Sequence, residues 1–182
     1  MDELIDRLDA EGNYTGQTII KSDAHRLGIF HPTVHIWFYT RSGNLLLQQR
    51  GKNKSTYPLL WDVSVAGHVG AGEEILEAAV REIKEEIGLN TPKESLIKIG
   101  VFKSTQNHDN AIIDNEFHHT FLCELKTPIQ NLNKQDSEVE SLAMIPLFTF
   151  AEEVWGLANT AKYVPHSREY YKTIIKSIKE LL

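Results

Sequence analysis

Glu82, Glu85 and Glu86 stand close together in a segment with strong helical spacing, GHVGAGEEILEAAVREIKEEIGL over residues 67–89. On a helical wheel with Glu82 at zero, Glu85 falls at about −60° and Glu86 at about +40°. One arc of the helix therefore carries all three carboxylates. Like charges at these spacings destabilise a helix by roughly a few tenths of a kcal/mol per pair. A hard divalent cation such as Mg²⁺ or Mn²⁺ offsets that repulsion through oxygen ligands. Arg81, beside the cluster, can hold one carboxylate in a bidentate pair. The blander alternative is a solvated acidic face neutralised by Lys84 and Arg81, which the helix pattern alone favours.

The elements around these residues must position them. The helix is expected from about Glu74 to Ile87, with Gly88 as a left-handed C-terminal cap. Leu76, Ala79, Val80, Ile83 and Ile87 form an apolar stripe for a sheet face. Glu77, Lys84 and Arg81 fall on the polar side, and Ala78 is small enough to leave room beside the acids. WDVSVAG, 61–67, reads as a short strand entering a Gly-rich loop. Residues 3–8 and 16–21 flank the turn-rich DAEGNYT and read as a hairpin. Strands are expected over 33–40 and 45–49, joined by RSGN, with a loop over 52–60. Further strands are expected over 96–105 and 117–125, separated by the polar loop QNHDNAIIDNE. A polar loop over 126–137, a strand in SLAMIPL and a short helix in FTFAEEVW follow. The last helix, 167–182, carries Tyr171, Ile174, Ile175, Ile178, Leu181 and Leu182 at core spacing. Strands and helices interleave without regular βαβ alternation, which predicts an α/β fold with a mixed sheet and helices on its faces.

The chain has 182 residues, enough for about one domain with its own core. It is 41% hydrophobic and 24% charged, ordinary for a globular protein. A balance of 19 basic against 25 acidic residues, net −6, argues against nucleic-acid or anionic-membrane partners. It does not argue against phosphate-bearing small molecules, because divalent metal can bridge acids to phosphate. Cys123 is the only cysteine, so no internal disulfide is expected, and a reducing compartment fits. The acidic, polar N-terminus is unlike a signal peptide, and no apolar run approaches the roughly 18 residues of a membrane span. The expected location is cytoplasmic. The N-terminal hairpin could offer an edge strand to a second copy, giving a homodimer.

Gly67, Glu73, Arg81, Glu82, Ile83, Glu85, Glu86, Gly88 and Leu89, at their spacing, resemble the complete signature of the Nudix hydrolase family. The resemblance implies a Nudix-type α/β/α sandwich with a mixed β-sheet and a loop–helix–loop catalytic motif. Residues 1–182 would form a single domain, with 67–89 as its Nudix box and 1–24 as an N-terminal β-hairpin extension. It implies cleavage of a diphosphate linkage in a nucleoside-diphosphate derivative or related organic diphosphate, with Mg²⁺ or Mn²⁺. By match to the signature, Glu82, Glu85 and Glu86 would be metal ligands, one acting as base, and the Gly67 carbonyl a further ligand. Glu73 and Arg81 would pair to brace the helix.

Flanking residues narrow the resemblance. His25 and His31 flank RLGIF, Arg50 and Lys54 precede Tyr57-Pro58, Trp61 leads into Gly67-His68, and Asp114-Asn115-Glu116 precedes a strand. Together these resemble the isopentenyl-diphosphate isomerase branch. That likeness implies a second metal site from His25, His31, His68, Asp114 and Glu116, with Arg50 and Lys54 binding diphosphate. Where the isomerase branch has a catalytic Cys, this chain has Ala66. The isomerases carry a degraded signature, whereas this chain keeps its glutamates. Both departures point to hydrolysis. Isomerase-like activity and a non-catalytic nucleotide-binding sensor are the alternatives. His35 reads as structural. His118 and His119 must point to opposite sheet faces, so at most one faces a site. Glu138 and Glu140 read as surface charge rather than a late base, and Tyr163 as a residue that could cap a substrate.

Overall fold

The computed structural model describes residues 2–109, 111–156 and 160–182. Asn110, part of the loop expected over 106–116, lies outside them. The organising element is strand β3, His31–Tyr39, buried along its whole length. A strand that meets core on both faces needs apolar side chains in both directions. Val34, Ile36 and Phe38 pack toward one core, and Trp37 and Tyr39 toward the other.

β3 pairs in parallel with β8, Ile113–Glu124, which pairs antiparallel with β7, Ile97–Asn107. On its other side β3 meets β4, Asn44–Arg50, only at Tyr39↔Leu45, and β6, Val65–His68, over Thr33–Ile36. β5, Trp61–Asp62, and β9, Val139–Pro146, flank β4. The seven strands form one mixed sheet. WDVSVAG is therefore two strands rather than one. Between them the Ser64 hydroxyl donates to Leu46 O at 2.5 Å and accepts from Phe38 N at 2.8 Å. A buried side chain thus supplies the hydrogen bonds that the backbone ladder cannot make where β3 and β4 diverge.

Helix α2, Ile75–Ile87, covers one face. Ala78, Ala79, Ile83 and Ile87 are fully buried there against Val34, Ile36, Phe38 and Leu46. Leu76, expected on the stripe, is 38% exposed, at the stripe's edge. Gly88 caps the helix at φ +71° as expected, where a Cβ would also meet Asn133. Helices α3, Leu147–Val154, and α4, Arg168–Leu181, cover the other face through Phe150, Tyr171, Ile174, Ile175 and Ile178. Leu182, at the end of the expected stripe, is exposed. The result is the expected α/β/α sandwich.

Two expectations are corrected. The N-terminal hairpin, β1 Leu4–Leu8 and β2 Tyr14–Ile20, ends at Ile20, so the extension over 1–24 is too long. Residues 21–24 instead open an unforeseen helix, α1 Lys21–Leu27, which Gly28 terminates at φ +65°. The loop expected over 106–116 is largely strand, because β7 and β8 continue to Asn107 and from Ile113.

Ile83→Ala should destabilise the protein by about 2–5 kcal/mol in urea denaturation, because it empties the interface that docks α2 on β3. A loss below about 1 kcal/mol would show that α2 is held otherwise.

Candidate active site and metal centre

The site begins at a missing side chain. A Cβ on Gly67 would lie 2.0 Å from the Glu82 carboxyl carbon. Only glycine lets α2 bring that carboxylate against the β6 backbone. Glu86 reaches the same strand: its Oε2 accepts from Ala66 N at 3.2 Å and from Gln48 Nε2 at 2.9 Å. Arg81 braces the cluster. Its Nε and Nη2 donate to the two Glu73 oxygens, each at 2.9 Å, a bidentate pair. Nη2 also reaches His68 O at 2.9 Å, while Nη1 reaches Glu82 at 2.6 Å and Glu85 at 3.2 Å. Glu73 in turn accepts from Gly70 N at 2.9 Å, tying the loop to the helix.

Burial opposes charge on these acids. It raises the Glu82 carboxyl, against the pull of Arg81. Glu86 is pushed up to about 8 by burial and then by Glu82, with Lys54 only partly offsetting this. Two buried carboxylates packed against the Gly67 backbone are a hard-oxygen donor set that suits Mg²⁺ or Mn²⁺. Glu85 is half-exposed, at 51%, and among the described residues its only ion pair is with Arg81.

A second cluster lies in the same cleft. His25 from α1, His31 and His68 form a triangle with ring centroids 5.1–5.2 Å apart. One ligand atom from each of these and from Glu116 lies within 4.8 Å of the others. His31 Nδ1 is bonded to Ile29 O at 2.8 Å, and its buried Nε2 lies 3.5 Å from Glu116 Oε1. Burial opposes charge on Glu116, but the bond from His31 and the nearby His118 and His68 hold its carboxyl well below the usual range. Burial holds His25 and His68 below the usual imidazole value, so both favour the neutral form that ligates metal. Asp114, expected in this set, stands beside it. Its Oδ1 lies 3.9 Å from His25 Nδ1 and is buried without a hydrogen bond, while Oδ2 accepts from His108 at 2.9 Å. Orphaned nitrogen and carboxylate atoms converging in this way fit a divalent cation.

Both clusters line one cleft of about 700 Å³. Arg50 and Lys54, expected to bind diphosphate, also line it, and both have partners within the protein. Arg50 spends donors on Thr56 O, Thr56 Oγ1 and Asp62 Oδ2. Lys54 is ion-paired with Glu138, which is therefore a cleft residue rather than plain surface charge, whereas Glu140 is exposed. Tyr163 does not cap this cleft: it is buried against Phe150, with its hydroxyl on Glu153. His118 lines the cleft and His119 does not, as strand alternation requires. Gln48, Asp62, Gln106, His108 and His166 were not singled out by the sequence. Each is a lone polar residue in its own segment, so no local spacing marks it.

Residues 29–172 match the NUDIX domain family, and the chain belongs to it. Nudix hydrolases act on pyrophosphate bonds, and this chain is an enzyme of that family. The chain is 36% identical over 149 residues to "Nudix hydrolase 3" of Arabidopsis thaliana, covering 80% of this chain but only 19% of that protein. It is 35% identical over 135 residues to "Isopentenyl-diphosphate Delta-isomerase 2" of Photorhabdus laumondii, covering 74% of each. The fold is shared with DR0079 of Deinococcus radiodurans, with a TM-score of 0.63, 20% identity and coverage of 85% and 90%. Among the described residues no helix is long and apolar enough to cross a membrane.

Because the Glu86 carboxyl rises from 4.5 to about 8 on folding, the metal-free fold holds its proton where the unfolded chain has lost it. That contribution to stability is present below about pH 4.5 and is lost as pH rises through about 8. Thermal melting without metal should therefore show Tm falling across this window. Adding Mg²⁺ or Mn²⁺ should raise Tm more at the alkaline end. A metal response independent of pH would contradict this assignment. Gly67→Ala, which displaces Glu82, should abolish much of the metal-induced rise; an unchanged rise would remove Glu82 from the site.

Proposed function

We propose that this chain is a Mg²⁺- or Mn²⁺-dependent hydrolase of a diphosphate linkage, acting on a nucleoside-diphosphate derivative or related organic diphosphate. The observation that carries the reading is the convergence of Glu82 and Glu86 on the Gly67–Ala66 backbone under the brace of Arg81. Glu82, Glu85, Glu86 and the Gly67 carbonyl would hold the metal. When bound, a divalent cation supplies positive charge to the diphosphate oxygens and lowers the pKa of water. Arg81 fixes the Glu82 carboxylate in one orientation and keeps Glu85 within reach. Glu85, the most exposed of the three, can turn toward water and take its proton. Gln48 and the Ala66 amide hold Glu86 against the strand. Lys54 and the part of Arg50 not spent on Thr56 and Asp62 face the cleft as cations for phosphate.

Small nucleotide-derived ligands occupy solved Nudix folds, including a Shewanella oneidensis domain complexed with ADP-ribose. That likeness supports the class of substrate. A second reading, isomerisation of isopentenyl diphosphate, is favoured by the His25–His31–His68–Glu116 cluster and by the isomerase relative. Ala66 counts against it, since a methyl group cannot exchange a proton with an allylic carbon. Pairing of two copies along the free edge of β2 belongs to the same reading, and sedimentation would read it.

Glu85→Gln and Glu86→Gln should each remove nearly all phosphate release while circular dichroism and melting remain those of a folded protein. Full turnover in both variants would sink the hydrolase reading.

A further inference from the structure

One wall of the cleft stands beside the two carboxylate clusters and, among the described residues, touches them only where His118 Nδ1 lies 3.5 Å from Glu116 Oε2. Thr33, His35, Asp62, His118 and His166 line it. His35 and His118 stack with centroids 4.0 Å apart and planes 18° from parallel. His166 stands edge-on to both, at 5.4 and 5.9 Å. Each ring is fixed through one nitrogen. His35 Nδ1 is bonded to the Tyr170 hydroxyl at 2.7 Å, which also accepts from Trp37 Nε1 at 2.9 Å. His118 Nδ1 is bonded to Thr33 Oγ1 at 2.8 Å, and His166 Nε2 to Asp62 Oδ1 at 2.8 Å. The second nitrogen of each ring has no hydrogen bond among the described residues, and His118 Nε2 is fully buried in that state. Gln106, also on the cleft, has its Oε1 buried without a partner.

We propose that this wall recognises the group joined to the diphosphate, and that this group is an uncharged, hydroxyl-bearing moiety of the sugar or polyol class. The inference rests on the reading that the carboxylate cleft holds a diphosphate. Three imidazoles locked by Tyr170, Thr33 and Asp62 form a rigid polar edge. A hydroxyl both donates and accepts, so it satisfies an imidazole nitrogen in either tautomer. A hydrocarbon chain would leave these atoms unpaired, and each unmade buried bond costs about tenfold or more in affinity. A planar base would want an open ring face, but His35 and His118 turn their faces on each other.

The test is calorimetric binding to the Mg²⁺-loaded Glu85→Gln variant, using pairs that differ only in hydroxyls. CDP-glycerol is compared with its propyl counterpart, and ADP-ribose with its pentyl counterpart. In at least one pair the hydroxylated member should bind about tenfold tighter or better. His118→Phe should erase that preference and His118→Gln should retain part of it, with melting curves confirming that both fold. Equal affinity within every pair, preference for the alkyl members, or no binding of any member overturns the proposal. So does a preference that survives His118→Phe. Turnover by the unmodified protein is read separately. Selective binding without hydrolysis would fail the hydrolase reading alone, whereas hydrolysis without hydroxyl preference would fail this inference alone.

Discussion

The rest of the site depends on the approach of the Glu82 carboxylate to the Gly67 backbone. Any side chain at position 67 would occupy the space that the carboxyl fills. Helix α2 must therefore lie at one depth on the sheet, set by Ala78, Ala79, Ile83 and Ile87 against β3 and β4. At that depth Arg81 reaches Glu73, Glu82, Glu85 and the His68 carbonyl together. One guanidinium so joins the loop, the helix and the end of β6. Its planar fork, rather than charge alone, makes this possible.

The fold concentrates negative charge where water is scarce. Glu82 and Glu86 are buried with less positive charge than they need, and burial raises both. Around Glu116 the opposite holds, because imidazoles on several elements keep its carboxylate charged. The cleft thus contains one oxygen-rich cluster and one nitrogen-rich cluster, both suited to divalent cations by different ligand chemistry. The stacked histidines form a third surface that asks for hydrogen bonds rather than charge. On the proposed reading, diphosphate, cation and a polar partner group together complement such a cleft.

Much of this was legible in the sequence where function is local. The acids, Arg81, Glu73 and the glycine lie on one strand end, the loop after it and one helix, so their spacing alone brings them together. The histidine cluster draws on α1, β3, β6 and β8, which no periodicity connects, and only a family resemblance pointed to it. Strands β7 and β8 read as loop at their ends because Gln106, Asp114 and Glu116 are polar. They are polar because that stretch of strand faces the cleft, and a site-facing strand looks like a loop by composition. That Arg50 pairs with Asp62 and Lys54 with Glu138 was not legible, because the partners lie on other elements. Tyr163, read as a residue that could cap a substrate, instead packs on Phe150 and pairs beside Trp61.

Hydrolysis of a diphosphate in this cleft is read by phosphorus NMR on the Mg²⁺- or Mn²⁺-loaded protein. The mixture would hold nucleoside triphosphates, ADP-ribose, NADH, CDP-alcohols, coenzyme A and isopentenyl diphosphate. The account predicts new phosphate monoester resonances from at least one component, absent without metal. Unchanged phosphorus spectra accompanied by a shifted double bond in isopentenyl diphosphate would contradict it and restore the isomerase reading.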